Sequence, residues 1–301
     1  MAIINNASAG SQINLLCMIY RIIHRNNGKF TFDEITSLCR PDNLLNRKDH
    51  LKRFPDNLRF WMKSEHQLWH ENSESKLILS ELSNCLDPLP SDIAVITNKA
   101  LFKNIYKSIC DPENNDTESF FRSLACIIAS DRFVFTVDPK IQISSLDNLF
   151  SEFLPSHTLP NNSEKPTLME YGMFLGFFEK QESGYLVDPT RVILGVLPDI
   201  FVKQDLLSVS GFIRLLGEKI PILDTGVYRE EVEESMSVNG WKKHSDNYFS
   251  KSLSHALYRL SKMKKIRFIT ASDDTAALSL QLPENRKQVI SSIQYLNGGV
   301  Q

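Results

Sequence analysis

Between residues 13 and 81 the hydrophobic pattern changes period once, and that change limits the folds open to this chain. "INLLCMIYRIIHRN" (13–26) places Ile13, Leu16, Cys17, Tyr20 and Ile23 at helical spacing. "NNGK" follows, and Gly28 suits a left-handed C-cap. Thr31 and Glu34 have capping-box spacing and start a second helix through "TFDEITSLC". "RPDN" breaks it, and "NRKDHLKRFPDNLRFWMKS" (46–64) reads as a third helix interrupted at Pro55. Two short strand-like runs, "HQLWHE" and "SKLILSE", then flank a turn at "NSE". Three helices followed by a β-hairpin is the order of a winged helix-turn-helix.

The helix-then-hairpin ending recurs twice. "YGMFLGFFEKQESGYLVDP" (171–189) runs from an apolar helix through a polar turn into a strand. In "LSHALYRLSKMKKIRFITASDDTAALSLQL" (253–282), Leu253, Ala256, Leu257, Leu260 and Met263 form a helical stripe, and "KIRFIT" and "AALSLQ" flank a turn at "ASDD". The tail after Pro283 looks loosely helical. Residues 90–153 read mostly as helix, and "PSHTLPNNSEKPT" (155–167) is the linker candidate. The expected fold is mostly α with small β-hairpins (α+β). A winged helix at 1–88 and a winged-helix-like domain at 166–301 flank a helical middle and linker at 89–165.

The five cysteines, 17, 39, 85, 110 and 126, have no C-x-x-C spacing, so they read as buried, reduced thiols rather than zinc ligands. No apolar run reaches the ~18–20 residues that span a bilayer, and the N-terminus has no basic region before an apolar stretch. Both point to a cytoplasmic protein without membrane contact. His66 and His70 are four apart, but in or beside a strand four residues span about 13 Å, too far for one ion. They read as part of a half-exposed wing.

Ser254 and His255 are adjacent, so on a helix they point about 100° apart and form no nucleophile–base pair. No G-x-S-x-G, P-loop or G-x-G-x-x-G occurs. These patterns point to a chain that is not an enzyme and needs no metal or cofactor.

The cations carry more information. The net charge of −2 excludes a polybasic protein but not a local basic face. From Lys251 to Thr270 there are six cations (Lys251, Arg259, Lys262, Lys264, Lys265, Arg267) and no acid. From Arg40 to Lys63 there are seven, with Arg47, Lys48, Lys52, Arg53 and Arg59 among them, against three acids. Each segment is the third helix and wing start of its unit, where winged helices present cations to phosphates. Weakly specific duplex DNA is the expected partner; a solvated helix face or a protein partner is the alternative.

In "PILDTGVYREEVEESM" (221–236) Asp224 reads as an N-cap, with Leu223 and Tyr228 at hydrophobic-staple spacing. Tyr228, Val232 and Met236 then share a face. Arg229 either pairs with Glu233 or reaches a partner or a phosphate, and its removal is expected to be nearly neutral.

"MAIINNASAG", "GFFEKQESGYLVDPT", "PILDTGVYREEVE" and "LSHALYRLSKMKKIRF…SDD" together resemble DpdG, a family of the bacterial Dpd cluster, which inserts 7-deazaguanine derivatives into DNA and restricts unmodified DNA. The resemblance implies a non-catalytic accessory component of a phage-defence restriction system that binds DNA or assembles with other proteins of the cluster. A winged-helix transcriptional regulator and a pure protein adaptor are the competing readings.

Overall fold

The computed structural model describes residues 3–296 except 6–8, 40–47, 104, 106–109, 112–114, 132–139, 158, 244–246, 272–273 and 284–285. The chain is an α+β protein whose strands form antiparallel sheets of two or three strands. It divides into two compact units: Met1–Phe120 with Pro160–Leu175, and Phe121–Leu159 with Gly176–Gln301. The units interleave in sequence, and the proline-rich stretch at 155–167 contains one of the crossings. Among the described residues no helix is long and apolar enough to cross a membrane.

In the first unit, α1 (Ile13–Arg25) buries Leu16, Cys17, Ile19, Tyr20 and Ile23, the stripe its spacing predicts. Burying each large apolar side chain stabilises by roughly 1.5–3 kcal/mol. Gly28 follows at φ +73°, in the left-handed region. The Thr31 backbone N–H donates to Glu34 Oε2 at 2.8 Å and the Glu34 N–H to Thr31 Oγ1 at 3.3 Å, so the capping box opens α2 (Phe32–Cys39). The third helix, α3 (Lys48–Phe60), runs through Pro55 rather than breaking there. β1 (Trp69–Glu71) and β2 (Leu77–Leu79) pair antiparallel, Trp69 opposite Leu79, around a turn in which Asn72 Oδ1 accepts from the Glu74 and Lys76 N–H groups. Farther on, α4 (Pro90–Phe102) packs against α7 (Lys165–Leu175), where Asn98 Nδ2 donates to the Leu175 carbonyl at 2.9 Å.

His66 is not on a half-exposed wing. It is 1% exposed, packed against Phe60 and Trp61, with Nε2 2.9 Å from the Phe60 carbonyl. The cysteines also divide differently from expectation. Cys17 and Cys126 are buried, and burial pushes the Cys17 thiol up to about 11, but Cys85 and Cys110 are exposed.

The second unit begins within α5 (Glu118–Ser130), whose residues 120–129 are all buried, and continues through α6 (Leu146–Phe153). β3 (Phe178–Gln181) and β4 (Gly184–Val187) form the expected hairpin. After it come α8 (Thr190–Ile200), β5 (Leu206–Ser208), α9 (Val209–Lys219), α10 (Val227–Val238) and α11 (Lys251–Lys262).

The end of the chain departs from expectation. β6 (Ile266–Ile269) does not pair with β7 (Leu278–Gln281). β6 pairs with β9 (Ser292–Tyr295) in a β5-β9-β6 sheet, and β7 pairs with β8 (Lys287–Ile290). The stretch after Pro283 therefore contains strands, with Ile290 and Ile293 buried where a loosely helical tail was expected. β9 fills the centre of its sheet because Ile293 faces Leu207 and Phe268 on its two sides.

Candidate nucleic-acid interface

The basic end of the second unit is built on α11. Its N-cap is Ser250, whose Oγ accepts from the Leu253 N–H. Ser250 is held in turn by Asp224: Oδ2 accepts from the Ser250 N–H and Oδ1 from its hydroxyl, each at 2.7 Å. Asp224 therefore serves the start of α11 and not of its own helix. The N-cap of α10 is Gly226, which has no side-chain cap.

Local backbone explains the difference. Thr225 sits at φ +62°, and a Cβ at Gly226 would lie 2.3 Å from the Pro221 carbonyl oxygen. This tight turn places α10 two residues later than Asp224 would have, so Leu223 and Tyr228 are not at staple positions. Both are nonetheless fully buried, and Tyr228, Val232 and Met236 share the buried face. Asp224→Ala should cost about 1–3 kcal/mol, because it leaves two donors at the head of α11 without their charged acceptor. Urea unfolding of the variant beside Asp224→Asn measures it, and the Asn variant should retain part of the loss.

Along α11, Leu253, Ala256, Leu257 and Leu260 are buried as the stripe predicts, but Met263 is 47% exposed at the C-cap. Ser254 is buried and its Oγ accepts from the Gln281 N–H, a partner separate from those of His255. Lys264 turns the chain at φ +55°, and Lys265 N–H bonds back to the Leu260 carbonyl before β6 begins. Lys262, Lys264 and Arg267 are exposed, and Lys251 and Lys265 half-buried. Among the described residues Lys262, Lys264, Lys265 and Arg267 make no ion pair; Lys262 Nζ lies 5.0 Å from the Tyr258 ring centroid.

Arg259 has a different place. Its Nη1 donates to Glu179 Oε1 at 2.8 Å on β3 and to Asp188 Oδ2. The Asp188 carboxylate is fully buried and also accepts from the Thr190 N–H and hydroxyl at the head of α8. Arg259 thus ties α11 to the β3–β4 hairpin, and Glu179 and Asp188 gave no sequence signal for that role. His255 Nδ1 lies 4.0 Å from Asp188 Oδ2, beyond hydrogen-bond range. Burial lowers the pKa of His255, partly opposed by Glu179.

Arg259, His255, Tyr258, Lys262 and Arg286, with Met263, Leu282 and Pro283, line a pocket of about 330 Å³. The lining combines an aromatic ring and apolar side chains with cations.

The basic segment of the first unit is more committed internally. Arg59 is exposed but pairs with Asp56 at 3.2 Å and lies 5.0 Å over the Phe32 ring, and Lys63 pairs with Asp116. Lys52 is exposed. Lys48 and Arg53 lie on α3, but their side chains, like Arg47 entirely, lie outside the described residues. Among the described residues no cluster of three His, Cys, Asp or Glu suits a metal ion.

A family model described as DpdG-like matches residues 1–274. The chain belongs to the DpdG-like family. Membership associates it with the Dpd cluster, as the four stretches suggested, and the match includes the whole of α11 and β6 but not β7, β8 or β9. No curated protein and no solved structure matches the chain.

Proposed function

We propose that this DpdG-like chain is a non-catalytic, DNA-contacting component of the Dpd restriction machinery, working in the cytoplasm and in phage defence. In this reading the end of α11 and the start of β6 form the contact surface. The carrying observation is the run of exposed Lys262, Lys264 and Arg267 with no acid between Lys251 and Thr270. Exposed cations on a helix end and the following strand suit phosphate binding without base reading. The three-helix-and-hairpin order of α1 to β2 supports a winged-helix reading of the first unit, with Lys52 a further phosphate contact.

The triple variant Lys262→Ala/Lys264→Ala/Arg267→Ala tests this. Arg259 is left intact, because removing it would strip the buried Asp188 of its cation. In a fluorescence-anisotropy salt series, wild-type protein should bind random duplex. The variant should bind all sequences more weakly, with a salt slope lower by about two to three, given about 0.9 per phosphate contact. An unchanged slope would remove this surface from the reading.

A second reading, a protein adaptor, has one observation in its favour: Leu82, Leu86 and Leu89 in the first unit are 52%, 96% and 60% exposed. Wild-type protein that fails to bind duplex even at low salt would favour it. A single protected operator in a footprint would instead indicate a transcriptional regulator.

A further inference from the structure

The pocket at the end of α11 differs from the surface around it. Surface cations contact a passing phosphate chain, whereas this pocket sets cations against an aromatic ring. Its volume, about 330 Å³, is at the lower end of the roughly 300–1,000 Å³ of small-ligand sites. That suits one nucleotide and is too small for a duplex. Tyr258 supplies a half-buried ring, extended by Met263, Leu282 and Pro283.

Lys262 and Arg286 supply charge to the same lining, with Lys262 Nζ 5.0 Å from the Tyr258 ring centroid. Arg259 contributes direction. Its Nη1 is occupied by Glu179 and Asp188, which locks the guanidinium in place, while among the described residues its Nε and Nη2 have no hydrogen-bond partner. A fixed guanidinium with Nε and Nη2 both open matches the fork geometry that phosphate oxygens accept.

We propose that this pocket receives one unpaired nucleotide of a single DNA strand, its base against Tyr258 and its phosphate on Arg259, Lys262 and Arg286. Because Lys262 belongs both to the pocket and to the exposed run continuing through Lys264 and Arg267, the flanking phosphates follow that run. The proposal rests on the reading of that run as a DNA contact. It adds a preference the run alone would not create, because aromatic stacking requires a base out of the helix.

The test compares a labelled short oligothymidylate, the same strand in duplex, and free thymidine monophosphate, by anisotropy and competition. Tyr258→Ala should weaken single-strand binding about 5- to 100-fold and change duplex binding less than about twofold, while Tyr258→Phe should retain single-strand affinity. Leu282→Trp, which fills the pocket and keeps the ring, should reproduce the loss. An oligonucleotide carrying 5-iodouracil should cross-link wild-type protein at the peptide containing Tyr258, a readout that requires no variant.

Equal losses on single strand and duplex, or no loss with either variant, would overturn the pocket and leave the surface reading standing. Absence of cross-linking at that peptide would overturn the pocket as well. Free monophosphate competing as strongly as the strand would overturn the strand assignment. Wild-type protein binding neither strand nor duplex would overturn both readings together.

Discussion

Arg229→Ala should destabilise the second unit by about 3 kcal/mol, against the near-neutral effect expected for a surface cation in the second turn of a helix. Arg229 is 2% exposed, and its Nε donates to Glu233 at 2.5 Å one turn along α10. Removing one partner of a buried pair leaves an uncompensated charge and costs about 3–5 kcal/mol. The lower end applies because the Glu233 side chain keeps 12% exposure and Lys243 Nζ lies 3.9 Å from it. A second ion pair ties the same helix to α5: Arg122, whose side chain is 4% exposed, meets the partly exposed Glu231 at 3.2 Å. Urea unfolding of Arg229→Met, Glu233→Leu and the double variant closes the cycle. The double variant should recover most of the loss, because it removes the desolvated carboxylate together with its cation. A single-variant cost below about 1 kcal/mol would mean that Lys243 or water takes over the carboxylate.

Acid should weaken the first unit through His66. A carbonyl oxygen only accepts, so Nε2 carries the proton and donates to Phe60, leaving Nδ1 as the basic site. Nδ1 is buried and, among the described residues, has no hydrogen-bond partner. Burial therefore holds the folded pKa down to about 4 against an ordinary 6.5, with the Phe60 carbonyl opposing it. Because the folded value lies below the unfolded one, the unfolded chain takes up the proton first. Stability is full above about pH 6.5 and declines as pH falls toward the folded pKa. The whole decline amounts to about 3 kcal/mol at 1.36 kcal/mol per unit. Carboxylates titrate in the same range, so the readout is a difference. His66→Gln, which can still donate to Phe60, should show a flatter stability profile between about pH 6.5 and 4. Parallel profiles for wild type and variant would show that His66 is protonated without opening the fold.

How much of this was legible in the sequence depends on range. α1 followed from a stripe repeating every three or four residues, and the entry into α2 from two side chains three residues apart. The buried face of α11 followed in the same way, as did the basic run after Lys251, which is a property of the sequence itself. Such signals act within one or two helical turns, where the chain's own geometry decides which atoms meet.

Other features did not follow, because their partners are distant. Asp224 looked like the cap of the helix beside it, yet a left-handed Thr225 and a glycine that no larger residue could replace delay that helix. The carboxylate instead reaches Ser250, 26 residues on. β6 and β7 flank a plausible turn, but each found its partner among strands in a tail that read as helix. Arg259 read as one more cation of the basic run, and only the fold shows its Nη1 held by Glu179 and Asp188, 80 and 71 residues away.

The sequence by itself determined the α+β character, most helix positions and the place of the basic run, since each rests on backbone geometry and neighbouring side chains. Tertiary structure decided which cations remain free for a ligand, which acids are spent on packing and which strands close the last sheet. A charge has no partner, and a strand edge no neighbour, until distant segments are brought within a few ångströms.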